Sequence, residues 1–297
     1  MIADSEKEVS SLLLNYHHID KYNIPSLGPV EVYRHRFEND QLIKKTVDLQ
    51  NRSSEEVRAA EVAMSLAGPG LIDIVARREI ASSQHELFLE DIVETLADEI
   101  QIRQGDGNRF SEIEILSMLS NALCALTKMQ QSNLPHGQIS PDTIFKTPRF
   151  EYKLLHPLAI GEEPSKTLKE SSFLLYRAPE LEYLLSEGKA VGSEELLKFD
   201  PFKMDVFSLG ATIIDACSLD LSDLDLELKL DAIKNYYSFP LTDLLEKMIE
   251  RNHLIRGDPL SMLKCLKQFE LVPEMPETTE RWNQSRRSIS DSQVRVI

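Results

Sequence analysis

The amino-acid sequence predicts an α+β protein in two lobes, a small sheet lobe crossed by one helix and then a larger helical lobe. Three observations carry this expectation. Short apolar runs alternate with polar turns between residues 29 and 93, and one segment inside that region switches to helical spacing. After Leu96 most apolar stretches recur with a helical period.

Residues 4–16, DSEKEVSSLLLNY, suit a short amphipathic helix or a frayed arm. Two strands are expected from 29 to 48, because Val30, Val32 and Tyr33 precede a polar turn at ENDQ and Leu42 and Ile43 open a second run. SSEEVRAAEVAMSLAG then predicts a helix, with Ser54 placed to cap it, acids in its first turn and Gly68 to stop it. LIDIVARREI and HELFLEDIV read as two more strands of the same sheet.

Past Leu96 the pattern is helical. Residues 110–131, FSEIEILSMLSNALCALTKMQQ, form a long amphipathic helix, apolar along the face from Phe110 to Met129. FDPFKMDVFSLGATIIDACSL predicts a buried helix entered at Asp205, and LTDLLEKMIERN and DPLSMLKCLKQFEL supply the last two. The closing residues combine Pro, Ser, Thr and charge with little apolar content and are expected to be disordered. The expected division is an N-terminal arm over 1–15, a domain over 16–272 whose lobes divide at 93/94, and a tail over 273–297.

With 297 residues, 42% of them hydrophobic, the chain can bury a large core. Its apolar runs fall short of the ~20 residues a membrane span requires. The start, MIADSEKEVSS, lacks a basic-then-apolar leader pattern, so the expected location is the cytoplasm or nucleus. A formal net charge of −16 repels phosphate backbones and anionic lipid, which excludes nucleic acid and membrane surfaces as expected partners. Cys124, Cys217 and Cys265 lie far apart in apolar contexts and read as small core residues of a reducing compartment. The seven histidines have no metal-ligand spacing, and the adjacent His17 and His18 are badly placed for joint ligation from one strand.

One stretch points to chemistry. LPHGQISPDTIFKTPRFEYKLLHPLAIG, residues 134–161, has the outline of a phosphoryl-transfer site: a His, a short polar loop, an apolar pair, a connector and a second loop. Where that chemistry calls for acids it offers Gln138, Thr143 and His156.

Three further segments occur in a telling order: YRAPE at 176–180, KMDVFSLG at 203–210 and MIERNHLIRGD at 248–258. Together with the two loops they resemble a eukaryotic protein kinase domain of the Ser/Thr kinase-like type, over roughly Tyr16 to Val272. The resemblance implies that Arg256 pairs with Glu180, and that Asp205 accepts backbone N–H groups of the loop begun by His136. In LIKKTV it assigns the lysine that holds the nucleotide phosphates to Lys44, with Lys45 the runner-up. It assigns that lysine's carboxylate partner to Glu61.

The departures from the family fall on the chemistry. Its three phosphate-loop glycines meet Pro25, Leu27 and Val30, and a loop that must curl over phosphates needs the freedom of glycine and its N–H groups. The catalytic base meets Gln138, which does not titrate, and the metal-binding Asn meets Thr143. The magnesium-binding acid of the second loop meets His156, followed by Pro157 and Leu158, and magnesium prefers carboxylate oxygen. Gly137 stands where an arginine would receive an activating phosphate.

The resemblance therefore implies a pseudokinase: a scaffold or allosteric regulator whose partners are other proteins, such as an active kinase or a signalling complex, with no cofactor and no metal. Two alternatives stay open. One is a divergent active kinase drawing a base or metal ligand from Asp142, Glu162 or Glu163. The other is a switch that binds ATP through Lys44 without magnesium. Two surfaces are noted as well: DLSDLDLELKLD at 220–231, read as a covered helix with an acidic outer side or as a docking surface, and Ser288 and Ser290 in RRSIS.

Overall fold

The computed structural model describes residues 6–50, 53–81, 83–157, 159, 175–188, 198–222 and 225–268. The expectations on Leu158, Glu162, Glu163 and the tail from 273 lie outside the described residues.

Alternation across strands organises the N-terminal part. Strands β1 (Tyr16–Ile24), β2 (Gly28–His35), β3 (Gln41–Asp48), β4 (Ile74–Ala81) and β5 (Gln84–Glu90) make one antiparallel sheet in the order β1-β2-β3-β5-β4. On the inner face Ile43 and Val47 pack with Leu87 and Leu89, and helix α2 (Ser54–Ser65) covers them with Ala60, Ala63 and Met64. On the outer face α1 (Glu6–Leu13) sets Val9 against Ala76 and Phe88. The amphipathic helix is therefore the form the first segment takes, and the expected boundary at 15/16 does not part it from the sheet.

Two local expectations need correction. Ser53, not Ser54, caps α2: its hydroxyl accepts from Glu56 N while the Glu56 carboxylate accepts from Ser53 N, a reciprocal capping box. The helix ends at Ser65, where the Leu66 N–H bonds the Ala63 carbonyl, before Gly68 is reached. Strand β1 was not expected at all. Its residues HHIDKYN are mostly exposed and carry no apolar alternation, so it is held by its pairing with β2 and not by burial.

The rest is mostly helical: α3 (Leu96–Asp106), α4 (Glu112–Gln131), α5 (Pro179–Ser186), α6 (Pro201–Ser218), α7 (Leu226–Ile233), α8 (Phe239–Met248) and α9 (Pro259–Gln268). Its core joins Leu119, Leu123 and Leu126 of α4 to Leu209, Ile213 and Ile214 of α6, closed by Leu244, Leu245 and Leu266. Helix α6 starts at Pro201 under an Asp200 cap, so Asp205 is not its entry. Asp205 lies in the second turn and points inward, buried.

A second sheet of β6 (Glu94–Thr95), β7 (Ile144–Lys146) and β8 (Tyr152–Leu154) lies beside the loops that matter. The chain before β4 seats on α4 at Gly70, where φ is +84° and a Cβ would stand 1.8 Å from the Asn121 carbonyl oxygen. Gly70 O and Leu154 N are 2.7 Å apart, and the Leu154 carbonyl accepts from Ile72 N at 2.9 Å, which ties the large sheet to β8. Among the described residues no helix is long and apolar enough to cross a membrane.

Candidate functional site

The loop that follows α4 is shaped by one carboxylate. Asp205 accepts from His136 N at 2.7 Å through Oδ2 and from Gly137 N at 2.8 Å through Oδ1. For two successive amides to aim at one side chain the backbone must turn sharply, and Gly137 supplies the turn at φ +75°. The ring of His136 completes the clamp. Its Nε2 lies 2.8 Å from the Leu155 carbonyl and its Nδ1 accepts from Gln138 N at 3.3 Å, which places the ring proton on Nε2. His136 thus fastens the first loop to the second.

Thr143 has no exposed surface and its hydroxyl is fully engaged at home. It accepts from Ser140 N at 3.0 Å, and its single proton faces the carbonyls of Gln138 at 2.9 Å and Ser140 at 3.1 Å. Its carbonyl accepts from Leu155 N at 2.7 Å. Gln138 is half-buried, and its Oε1 has no hydrogen-bond partner among the described residues, nor has the Ser140 hydroxyl. Asp142, in the short 3₁₀ turn Pro141–Thr143, is half-buried; burial and then the charge of Asp98 push its carboxyl above the usual range.

His156 is wholly buried beneath α2. Neither ring nitrogen has a hydrogen bond within normal distance and angle among the described residues, and the Ala63 carbonyl of α2 is the nearby acceptor that favours the charged ring. Burial pushes both histidines down to about 4, against the nearby Leu155 and Ala63 carbonyls, and the charge His156 would carry adds to the effect on His136. Burial pushes Asp205 the other way, up to about 7, with the Gly137 and His136 amides opposing it.

These shifts make stability depend on pH. In the unfolded chain His156 takes up a proton near its ordinary value of 6.5, whereas folded it stays neutral down to about 4. Its contribution is complete above 6.5 and is lost as pH falls toward 4. Asp205 acts oppositely, holding its proton in the folded state up to about 7, so its contribution is lost as pH rises. A comparison of variants isolates the histidine. His156→Leu is expected to gain about 2 kcal/mol on the wild type when urea unfolding is moved from about pH 7.5 to about pH 5. An unchanged difference between the two proteins would place His156 in contact with solvent.

The register of β3 places Lys44, the lysine expected to hold phosphate, on the face away from α2. Lys44 pairs across the sheet with Glu31 and Phe88, on the outer face. Its ammonium lies 2.7 Å from Glu31 and 3.0 Å from Glu86, and Lys21 and Lys44 hold the Glu31 carboxyl down to about 2. Glu61 is exposed on α2, so the expected Lys44–Glu61 pair does not form. Strand alternation is the reason: Ile43, Lys45 and Val47 share the inner face, which makes buried Lys45 the inward lysine. The Lys45 ammonium bonds the Leu27 carbonyl. Leu27 itself is fully buried in the cluster with Val30, Ala60 and Ala63, so the β1–β2 turn folds an apolar side chain into the space beneath the sheet.

Glu180 and Arg256 meet far from these loops in sequence. The guanidinium binds the carboxylate with both arms, Nη1 to Oε1 at 2.7 Å and Nη2 to Oε2 at 3.0 Å. The structure thus joins His136 to Asp205 and Glu180 to Arg256. A cluster that sequence reading missed lies near the second pair. Buried Lys229 donates to Asp215 Oδ1 and to the carbonyls of Asp220 and Ser222, each at 2.8 Å, and Tyr176 donates to Asp215 Oδ2 at 2.7 Å. An Asp inside the apolar run TIIDACSL was the available signal, since a buried acid there requires a partner. In comparisons with known proteins, no family model matches the chain and no curated relative matches it.

Proposed function

We propose that this chain is a protein kinase-like module, two-lobed in the manner of that family, that carries out no phosphate transfer and acts as a protein-binding scaffold or allosteric regulator. The observation that carries the reading is the inward commitment of the loop positions. Phosphate transfer to a hydroxyl needs a group that takes or orients the proton, and acids that hold magnesium. Here the base position is an amide, the Thr143 hydroxyl is consumed by its own loop, and His156 is sealed beneath α2. Leu27 and the Lys45–Leu27 bond add to this, because they occupy space and charge that a nucleotide's phosphates would use. The frame that shapes the loop is kept: Asp205 with the two amides, His136 with Leu155, and Glu180 with Arg256. Such a division suits a domain whose partners are proteins recognised on its outer surfaces.

Thermal unfolding of the full chain with ATP, in the presence and absence of magnesium, tests the reading together with an assay of phosphate transfer to itself and to a generic substrate. Neither stabilisation nor transfer is expected. Transfer that disappears in Lys45→Ala, or in Asp142→Asn, would overturn the proposal in favour of a divergent kinase. Stabilisation by ATP without magnesium and without transfer would replace it with a nucleotide-sensing switch.

A further inference from the structure

We propose that the cleft beside Arg177 is a carboxylate-binding site that takes an acidic residue from a peptide segment of a partner protein. The cleft encloses about 350 Å³ between the residues leading into α5, the middle of α6 and the start of α7. That is enough room for a few side chains, at the small end of ligand sites. Arg177 lines it. The Nε and Nη2 of this guanidinium are shielded from solvent and have no hydrogen-bond partner among the described residues, although the residue as a whole is only half-buried.

The other strong polar groups of the walls are already committed. Tyr176 and Lys229 are bound to Asp215, and Asp225 caps α7 through Glu227 N and Leu228 N. Glu182 acts on the charge of Arg177, against the burial that lowers its pKa, and no bond joins the two. What Arg177 lacks, among the described residues, is an acceptor bonded to its Nε and Nη2. Shielded N–H groups of a cation are costly to leave unmade, and such groups in native proteins call for an occupant.

The wall chemistry selects the kind of acceptor. A planar fork matches a carboxylate held by two parallel bonds. Of the wall charges, Asp215 is paired with Lys229, and Asp225 lies 3.8 Å from Arg251. That leaves Glu182, among the described residues, as the unpaired charge beside Arg177, and its repulsion disfavours a dianion such as phosphate more than a singly charged group. Leu175, Phe207 and Leu226 add apolar surface beside the fork, suited to a hydrophobic neighbour of the acid. That pairing points to a peptide and not to a free small acid. The inference stands on the cleft alone, so the outcome of the phosphate-transfer assays leaves it unaffected.

The test uses the ¹⁵N-labelled full chain and the Arg177 Nε–H resonance, assigned by its loss in Arg177→Gln. The probes are acetyl-Leu-Glu-Leu-amide, its Gln counterpart, acetate and inorganic phosphate. The Glu peptide is expected to shift the resonance, to bind about tenfold or more tightly than the Gln peptide, and to outcompete acetate. In Arg177→Gln, with its melting temperature retained, the preference for Glu should vanish. Equal affinity for the two peptides, an undiminished preference in Arg177→Gln, tighter binding of phosphate or acetate, or no binding of the Glu peptide at millimolar concentration would each overturn the proposal.

Discussion

Arg256→Ala is expected to destabilise the protein by about 3–5 kcal/mol, read as a fall in the urea midpoint. Arg256 is 1% exposed and Glu180 6%, so neither charge is solvated by water. The guanidinium holds the carboxylate with two bonds, donates to the Glu250 carbonyl at 2.7 Å and the Lys203 carbonyl at 3.2 Å, and lies 5.0 Å from the Phe207 ring centre. It therefore ties the start of α5, the first turn of α6 and the loop after α8 to one another. Alanine leaves Glu180 charged and buried without a partner, and takes away the donor that bonds the Glu250 carbonyl. The expected signature is non-additivity. Arg256→Met with Glu180→Leu should lose less than Arg256→Met alone, because the double variant buries no orphaned charge. Losses that simply add would rule out the coupled pair.

Lys229→Met is expected to cost a similar amount, about 3–5 kcal/mol, for a related reason. The ammonium is 2% exposed and satisfies three oxygens from two stretches of chain, while methionine keeps the apolar stem and removes the donors. Asp215 would keep only Tyr176. Burial already raises the carboxyl of Asp215, and loss of Lys229 raises it further. A raised carboxyl contributes stability at low pH that is lost as pH rises, so the deficit of the variant should be smaller at about pH 5 than at about pH 8. The cage also fastens the loop before α7 to α6. Amides of α7 should therefore exchange with solvent faster in the variant than those of α4, and uniform exchange would show that the cage does not hold α7 locally.

Much of the fold could be read locally. The Ser53/Glu56 and Ser111/Glu114 boxes and the apolar period of α4 mark helices whose cause lies within a dozen residues. β1 could not be read this way. HHIDKYN has no pattern of its own, and its extended form comes from hydrogen bonds to a strand further along the chain. The candidate site divides in the same manner. His136, Asp205, Glu180 and Arg256 stand out because segments around them occur in a set order. The choice between Lys44 and Lys45 was not visible, because alternation says that adjacent residues face opposite sides of a sheet without saying which side is covered by α2.

While α3 and α5 were not read, residue chemistry along the chain was thus enough to determine the α+β class, the helices α2, α4, α6, α8 and α9 in their order and the absence of acids at Gln138, Thr143 and His156. Those follow from side-chain type and from spacing over a few turns. Packing alone decided that Leu27 fills the space under the sheet, that the Thr143 hydroxyl is spent on its own loop, that Lys229 closes on Asp215, and that Nε and Nη2 of Arg177 have no acceptor among the described residues. Each of these depends on which polar atoms are left without water once segments far apart in sequence come together, and no local pattern encodes that.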